Sequence, residues 1–271
     1  MFDTLTEAEW DRVDDAWELM EAADFEKARV EVDGLMQARG RHPDLALLDC
    51  ALAIEEGRAE YALQGLKDAE SSADPALFFE VRALARFHLV EPETACEDAE
   101  KALAVRPHMA EAHALLAKIH DFLGHADRAA EHAETACELD AEAFPLPLEM
   151  EDAAFDALVE ESLAELPPRV REHLNEIPVL IEPIPDRSML TAERPPLPPD
   201  ILGLFVGRHL MERSHHDAPT SPGAIYLFRR NLLRIAADRE ELAREVRVTV
   251  KHEVGHLLGL DEDDLESWGL A

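Results

Sequence analysis

Residues 252–262 read HEVGHLLGLDE, and the residue types in that run could hold and use a metal ion. On an α-helix, positions i and i+4 share one face, roughly 6 Å apart. His252 and His256 can therefore each aim an imidazole nitrogen at a common ion, at the ~2.0–2.1 Å usual for zinc. Glu253 follows the first histidine and leans toward the same open side, where it could take a proton from metal-bound water. Val254, Leu257 and Leu258 supply apolar backing for the helix. Gly259 stands where a helix ending in the left-handed conformation wants glycine, so a residue just beyond it could return to the metal. Asp261, Glu262 and Asp263 are the candidates for that third ligand, with water as the remaining option. Glu262 has the third-ligand spacing of the longer HExxHxxGxxH pattern. With 13 histidines in the chain, a bare HExxH arises by chance in about one such sequence in ten. The glycine and the following carboxylate carry the rest of the argument.

The elements that must position these residues can be read upstream. The last long helix is expected to begin near Asp238, where Asp238 and Glu241 fit a capping box. Strands are expected in IPVLIEPIP (residues 177–185), in residues 201–206 and in residues 224–228. A helix is expected over MEDAAFDALVEESLAEL, with a short one following through Asn175. Residues 194–200 and 211–223 read as loops. The strand at 224–228 could pair with an extended peptide, by analogy with larger metallopeptidases. His215, His216, Tyr226, Arg229 and Arg230 are available to stabilise an oxyanion, although salt bridging or strand pairing accounts for the arginines and a polar loop for the histidines. The fold class expected for the whole chain is α+β, with an all-α repeat array over residues 1–146 and a small α+β domain over 147–271.

The first half repeats. Ala28, Ala62, Ala95 and Ala129 are spaced 34, 33 and 34 residues apart, and Ala16, Cys50, Ala83 and Ala117 keep the same steps. So do Leu35, Ala69, Ala102 and Ala136, and a turn series of Ala23, Gly57, Val90 and Gly124. Four series in one register imply four units over residues 9–143, each a pair of amphipathic helices of about 12–14 residues. Small residues let the paired helices approach, and Trp17, Leu48, Phe79 and Leu115 fill the space between units. Pro43, Pro75 and Pro107 fall between units, where proline suits a helix start. His113, His120, His125 and His132 recur at helical spacing, with no carboxylate–histidine constellation beside them. Cys50, Cys96 and Cys137 make no CxxC pair and read as small apolar residues inside helices.

Composition sets outer bounds. A net charge of −33, from 59 acidic and 26 basic residues, excludes a phosphate-binding surface, so neither nucleic acid nor anionic membrane is an expected partner. MFDTLTEAEW lacks the features of a signal peptide, and no apolar run reaches the roughly 20 residues needed to span a bilayer. A soluble, cytoplasmic protein is expected.

The repeat pattern resembles the tetratricopeptide repeat, most clearly in AEAHALLAKIHDFLGHADRAAEHAETACELDAEA (residues 110–143) and in ADFEKA (residues 23–28). The resemblance covers about half the chain. Most of the large aromatics usual in the first helix are missing, and Val90 replaces one turn glycine. It implies a peptide-binding scaffold for a protein partner or substrate.

Residues 150–271 resemble the minimal zincins, a metallopeptidase-like family, through MEDAAFDALVEESLAELP, LGLFVGRHLMERS, IYLFRRNLLR and VRVTVKHEVGHLLGLDEDDLESWG. The family motif, HExxHxxGxx followed by Asp or Glu, matches His252, Glu253, His256, Gly259 and Glu262. A methionine turn typical of metzincins is absent. The resemblance implies one zinc ion per chain held by His252, His256 and Glu262, with Glu253 as catalytic base in peptide-bond hydrolysis. The alternative is a non-catalytic adaptor whose zinc is structural.

Overall fold

The computed structural model describes residues 4–40, 42–69, 73–174, 177–192, 194–207 and 223–258. It is a mostly helical N-terminal array with a small C-terminal sheet region. The chain divides into two compact units, Met1–Phe144 with Leu190–Pro199, and Pro145–Met189 with Asp200–Ala271.

The first unit contains four consecutive helical hairpins: α1 (Glu7–Glu21) with α2 (Phe25–Arg39), α3 (Pro43–Glu55) with α4 (Ala59–Ala69), α5 (Pro75–His88) with α6 (Pro92–Val105), and α7 (Ala110–Phe122) with α8 (Ala126–Leu139). The turn series has a common backbone cause. Ala23, Gly57, Val90 and Gly124 all have positive φ, at 55, 74, 60 and 77°. Each donates its N–H to the carbonyl three residues back (Met20, Ile54, Phe87, Asp121), and the next residue donates to the carbonyl five back (Leu19, Ala53, Arg86, His120). That is the Schellman ending of a helix, made four times in one register. The left-handed conformation costs an L-residue roughly 1–2 kcal/mol, so Ala23 and Val90 are held there by the hairpins around them.

The small-residue series are buried as their spacing requires. Ala16, Ala28, Ala62, Ala83, Ala95 and Ala102 have no exposed surface, and Cys50 and Ala136 almost none; Ala129, at the end of its series, is half-buried. Leu48 and Leu115 are buried, and Trp17 and Phe79 pack partly buried beside such clusters. Pro43 and Pro75 open helices, as does Pro92. Pro107 does not: it lies in the turn before Met109, the N-cap of α7. Cys50 is buried, and burial first, then the neighbouring Asp49 charge, pushes its thiol up to about 12. Cys96 and Cys137 are only half-buried, so the apolar reading holds best for Cys50. Charge inside the array is matched within a hairpin. Asp98, wholly buried, is held by Arg82 and Arg86 at 2.7 Å and by Lys101 at 2.9 Å.

The second unit builds a three-stranded sheet from β1 (Val179–Glu182), β2 (Gly203–Val206) and β3 (Ala224–Phe228), in the order β1-β3-β2. β3 pairs parallel with β1 and antiparallel with β2. It therefore has a neighbour on both sides, and the expected pairing of 224–228 with a peptide has no free edge to use. Among the described residues the further helices are α9 (Asp152–Glu165), α10 (Pro168–Leu174), α11 (Arg187–Leu190), α12 (Arg229–Ile235) and α13 (Arg239–Leu258). Their core gathers Phe155, Leu158 and Val159 of α9, Ile225 and Leu227 of β3, Leu232 of α12, and a stripe down α13. That stripe is Leu242, Val246, Val250, Val254 and Leu257, none with exposed surface. Each such side chain contributes about 1.5–3 kcal/mol, which outweighs the weak helix propensity of the β-branched VRVTV segment. Asp238 caps α13 by accepting from the N–H groups of Glu240 and Glu241, both at 2.9 Å. The reciprocal half of the expected box is shifted: Glu241 accepts from Ala237 rather than from Asp238.

Candidate metal centre

The buried stripe of α13 fixes the roll of the helix and so fixes where its polar residues emerge. His252 and His256, half-buried, come out on one face with Nε2 atoms 2.9 Å apart. Their ring centroids are 4.4 Å apart and the rings are perpendicular. Two imidazole nitrogens can face each other at that range only if at least one carries no proton. Ligand nitrogens around a tetrahedral zinc at ~2.0–2.1 Å stand roughly 3.3–3.4 Å apart. The pair thus converges on one point and fits an ion with little movement.

Glu253 is 7% exposed and its Oε2 accepts a 2.6 Å hydrogen bond from the backbone N–H of Phe205. The sheet explains that contact. Phe228 donates to the carbonyl of Leu202 at 2.9 Å, so in the antiparallel register residues 202, 204 and 206 make the hydrogen-bonded pairs. Hydrogen-bonded and open pairs alternate, which turns the polar groups of Gly203 and Phe205 away from β3. The outward N–H of Phe205 is the group that Glu253 takes. The carboxylate is held by strand β2 beside two convergent imidazoles.

Gly203 makes this approach possible. A Cβ built there would stand 2.5 Å from Thr249 Cγ2, 3.0 Å from the Tyr226 carbonyl oxygen and 3.5 Å from Glu253 Cγ. The backbone of β2 lies on α13 with no room for a side chain. Neither Gly203 nor the Phe205 amide was expected from the sequence. Their contact with Glu253 spans 48 residues, and no local pattern marks an edge-strand N–H.

The candidates for a third ligand, Glu262, Asp261 and Asp263, are outside the described residues, as are Gly259, His215 and His216. Among the described residues no group of three or more His, Cys, Asp or Glu could hold a metal ion; the described part of α13 brings two imidazoles together. Arg229 pairs with Asp152 at 2.7 Å, which gives it the salt-bridging role, and Tyr226 sits on the central strand opposite Leu180 and Leu204. A groove of about 300 Å³ lies on another side of α13, between it and α9, lined by Leu158, Ser162 and Ala243 among others; none of its lining residues is His252, Glu253 or His256. No described helix is long and apolar enough to cross a membrane.

Comparison with known proteins bears on this unit most directly. Residues 174–270 match the family of zincin-like metallopeptidases, a stretch that holds β1 to β3 and α13. No curated protein matches. Among solved structures, the crystal structure of MamA is similar over 55% of this chain and 81% of its own, with 19% identity and a TM-score of 0.36. A likeness at that level adds nothing to the hairpin geometry above.

Proposed function

We propose that the C-terminal unit is a zinc-dependent peptidase in which His252 and His256 hold the ion, Glu262 completes the protein ligands, and Glu253 is the general base. The observation that carries this reading is the convergence of the two Nε2 atoms beside a buried carboxylate anchored on a strand edge. The match to zincin-like metallopeptidases over 174–270 supports it. A bound zinc ion would polarise the scissile carbonyl and acidify a water molecule. Glu253 would accept the proton of the attacking water and pass it to the leaving amine. Its bond to Phe205 uses one carboxylate oxygen, which orients the other. The hairpin array, through its resemblance to tetratricopeptide repeats, would present a protein partner or substrate.

One observation favours a second reading, an adaptor with a structural metal. Glu253 already has a structural duty, because it satisfies an outward N–H of the sheet. A base and a cap can be told apart. Glu253→Gln keeps an acceptor for Phe205 and a similar shape, yet it cannot take a proton. Zinc content and cleavage of an unstructured protein should be measured in the wild type and this variant. About one zinc in both, with cleavage only in the wild type, supports the peptidase. Zinc in both with no cleavage in either supports the adaptor.

A further inference from the structure

The four histidines at helical spacing in the last hairpin meet in space. His113 and His132 bring their Nδ1 atoms to 3.0 Å, and His120 and His125 bring theirs to 3.4 Å. The His120 and His132 rings stack, 5.5 Å between centroids and 18° between planes, and so join the two pairs. The tautomer of one pair can be worked out. His113 Nε2 lies 3.2 Å from the Pro107 carbonyl oxygen, which can only accept, so in the neutral ring the proton sits on Nε2. Nδ1 of His113 then carries an unprotonated lone pair that faces His132 Nδ1. A carbonyl behind the far ring nitrogen is also what commonly orients an imidazole that ligates a metal.

The surroundings of His120 and His132 favour the neutral ring, which metal binding requires. Burial first, then Arg128 and His125, hold His120 below the ordinary histidine value, against the opposing charge of Glu100 on α6. Burial first, then His113 and His120, do the same for His132, against Glu131. Cys96 of α6 lies 4.0 Å from His120 Nε2, behind the ring rather than at its paired nitrogen.

We propose that the α7–α8 hairpin binds a divalent transition metal of borderline softness, Zn²⁺ or Ni²⁺, between Nδ1 of His113 and Nδ1 of His132, with His120 and His125 as a second donor pair beside it. Both separations bracket the roughly 3.3–3.4 Å between nitrogens on a tetrahedral ion. No three donors converge among the described residues, so each pair gives two ligands, water supplies the others, and affinity is below that of a four-ligand site. Imidazole donors select such ions over Mg²⁺. The bound ion would tie α7 to α8.

The test uses the full chain carrying His252→Ala and His256→Ala, so that α13 contributes no metal binding. Titration with Zn²⁺ or Ni²⁺ at pH 7.5 should show binding and a rise in unfolding temperature, and Mg²⁺ should give neither. Adding His113→Asn and His132→Asn should lower affinity at least tenfold, and pH 5.5 should abolish binding. Zn²⁺ should also shift the ¹⁵N resonances of His113 and His132 Nδ1 before those substitutions are made, a readout that needs no array variant. Absent binding, unmoved resonances, or an isotherm unchanged by the two asparagines would overturn the proposal and leave the pairs as hydrogen bonds only.

Discussion

Two buried acids, one in each unit, are stabilised by different means. Asp98 of α6 sits among Arg82, Arg86 and Lys101, cations contributed by its own hairpin and aimed at packing two helices. Glu253 of α13 is anchored through a main-chain amide of a strand 48 residues away, beside two imidazoles. The first arrangement neutralises a charge locally. The second holds a carboxylate in place while leaving it beside donors that suit a metal ion. The array uses its polar residues to close itself, and the sheet unit gathers them at the candidate site.

The largest expected effect tests the second acid. Glu253→Gln should reduce hydrolysis by about 10²–10⁴-fold, the usual worth of a positioned acid–base, with zinc content and melting temperature near wild type. Loss of zinc in that variant would remove Glu253 from the role of base. Glu262→Ala should weaken zinc affinity by more than about a hundredfold, since even outer partners of metal ligands are worth 10–100-fold. Unchanged affinity, read by competition with a chelator, would pass the ligand role to Asp261, Asp263 or water.

Asp98→Ala tests the first acid and should cost the array about 3 kcal/mol, because it leaves two half-buried arginines without their buried counter-charge. The pH dependence has a definite sign. Burial works to raise the Asp98 value, but its bonds to Arg82 and Lys101 and the charges of Arg82 and Arg86 outweigh that and hold it below the usual carboxylate range. Its stabilisation is therefore complete above about pH 4, the ordinary carboxylate value, and is lost as pH falls through the lowered one. Urea unfolding of wild type and variant should converge in acid; a gap that persists there would contradict this account.

Gly203→Ala is a smaller perturbation, about 1–3 kcal/mol of overpacking, but it falls on the joint between β2 and α13. The Phe205 amide, followed by NMR, should exchange faster and lose its bonded shift. An unmoved Phe205 resonance would show that Thr249 yields instead. The smallest effect belongs to the array. Ala23→Gly relieves a left-handed alanine at an exposed turn and should stabilise by roughly 0.5–1 kcal/mol after the added freedom of the unfolded chain is deducted.

The contrast also explains what could be read from residue order. The 34-residue periodicity located four turns, and all four proved left-handed: the bonds that end each helix close within six residues, and at Ala23 and Val90 hairpin packing holds the unfavourable φ. The same holds for His252 and His256: one helical turn separates them, so their meeting needs only the helix. Residues 201–206 and 224–228 were legible as strands from β-branched and apolar composition. Their order was not, since β3 lies between β1 and β2 only because two different segments pair with it. Four histidines of the α7–α8 hairpin were visible as spacing alone; the hairpin had to fold before Nδ1 met Nδ1.

Sequence alone therefore determined the repeat, the turn chemistry and the paired imidazoles of α13, all consequences of short-range geometry along one chain segment. Tertiary structure alone decided that a glycine with no apparent role, Gly203, would let a strand lie on that helix, and that the spare N–H of Phe205 would hold Glu253. Hydrogen-bond direction at a sheet edge depends on register with a partner strand, and that register is set by packing rather than by neighbours in the chain.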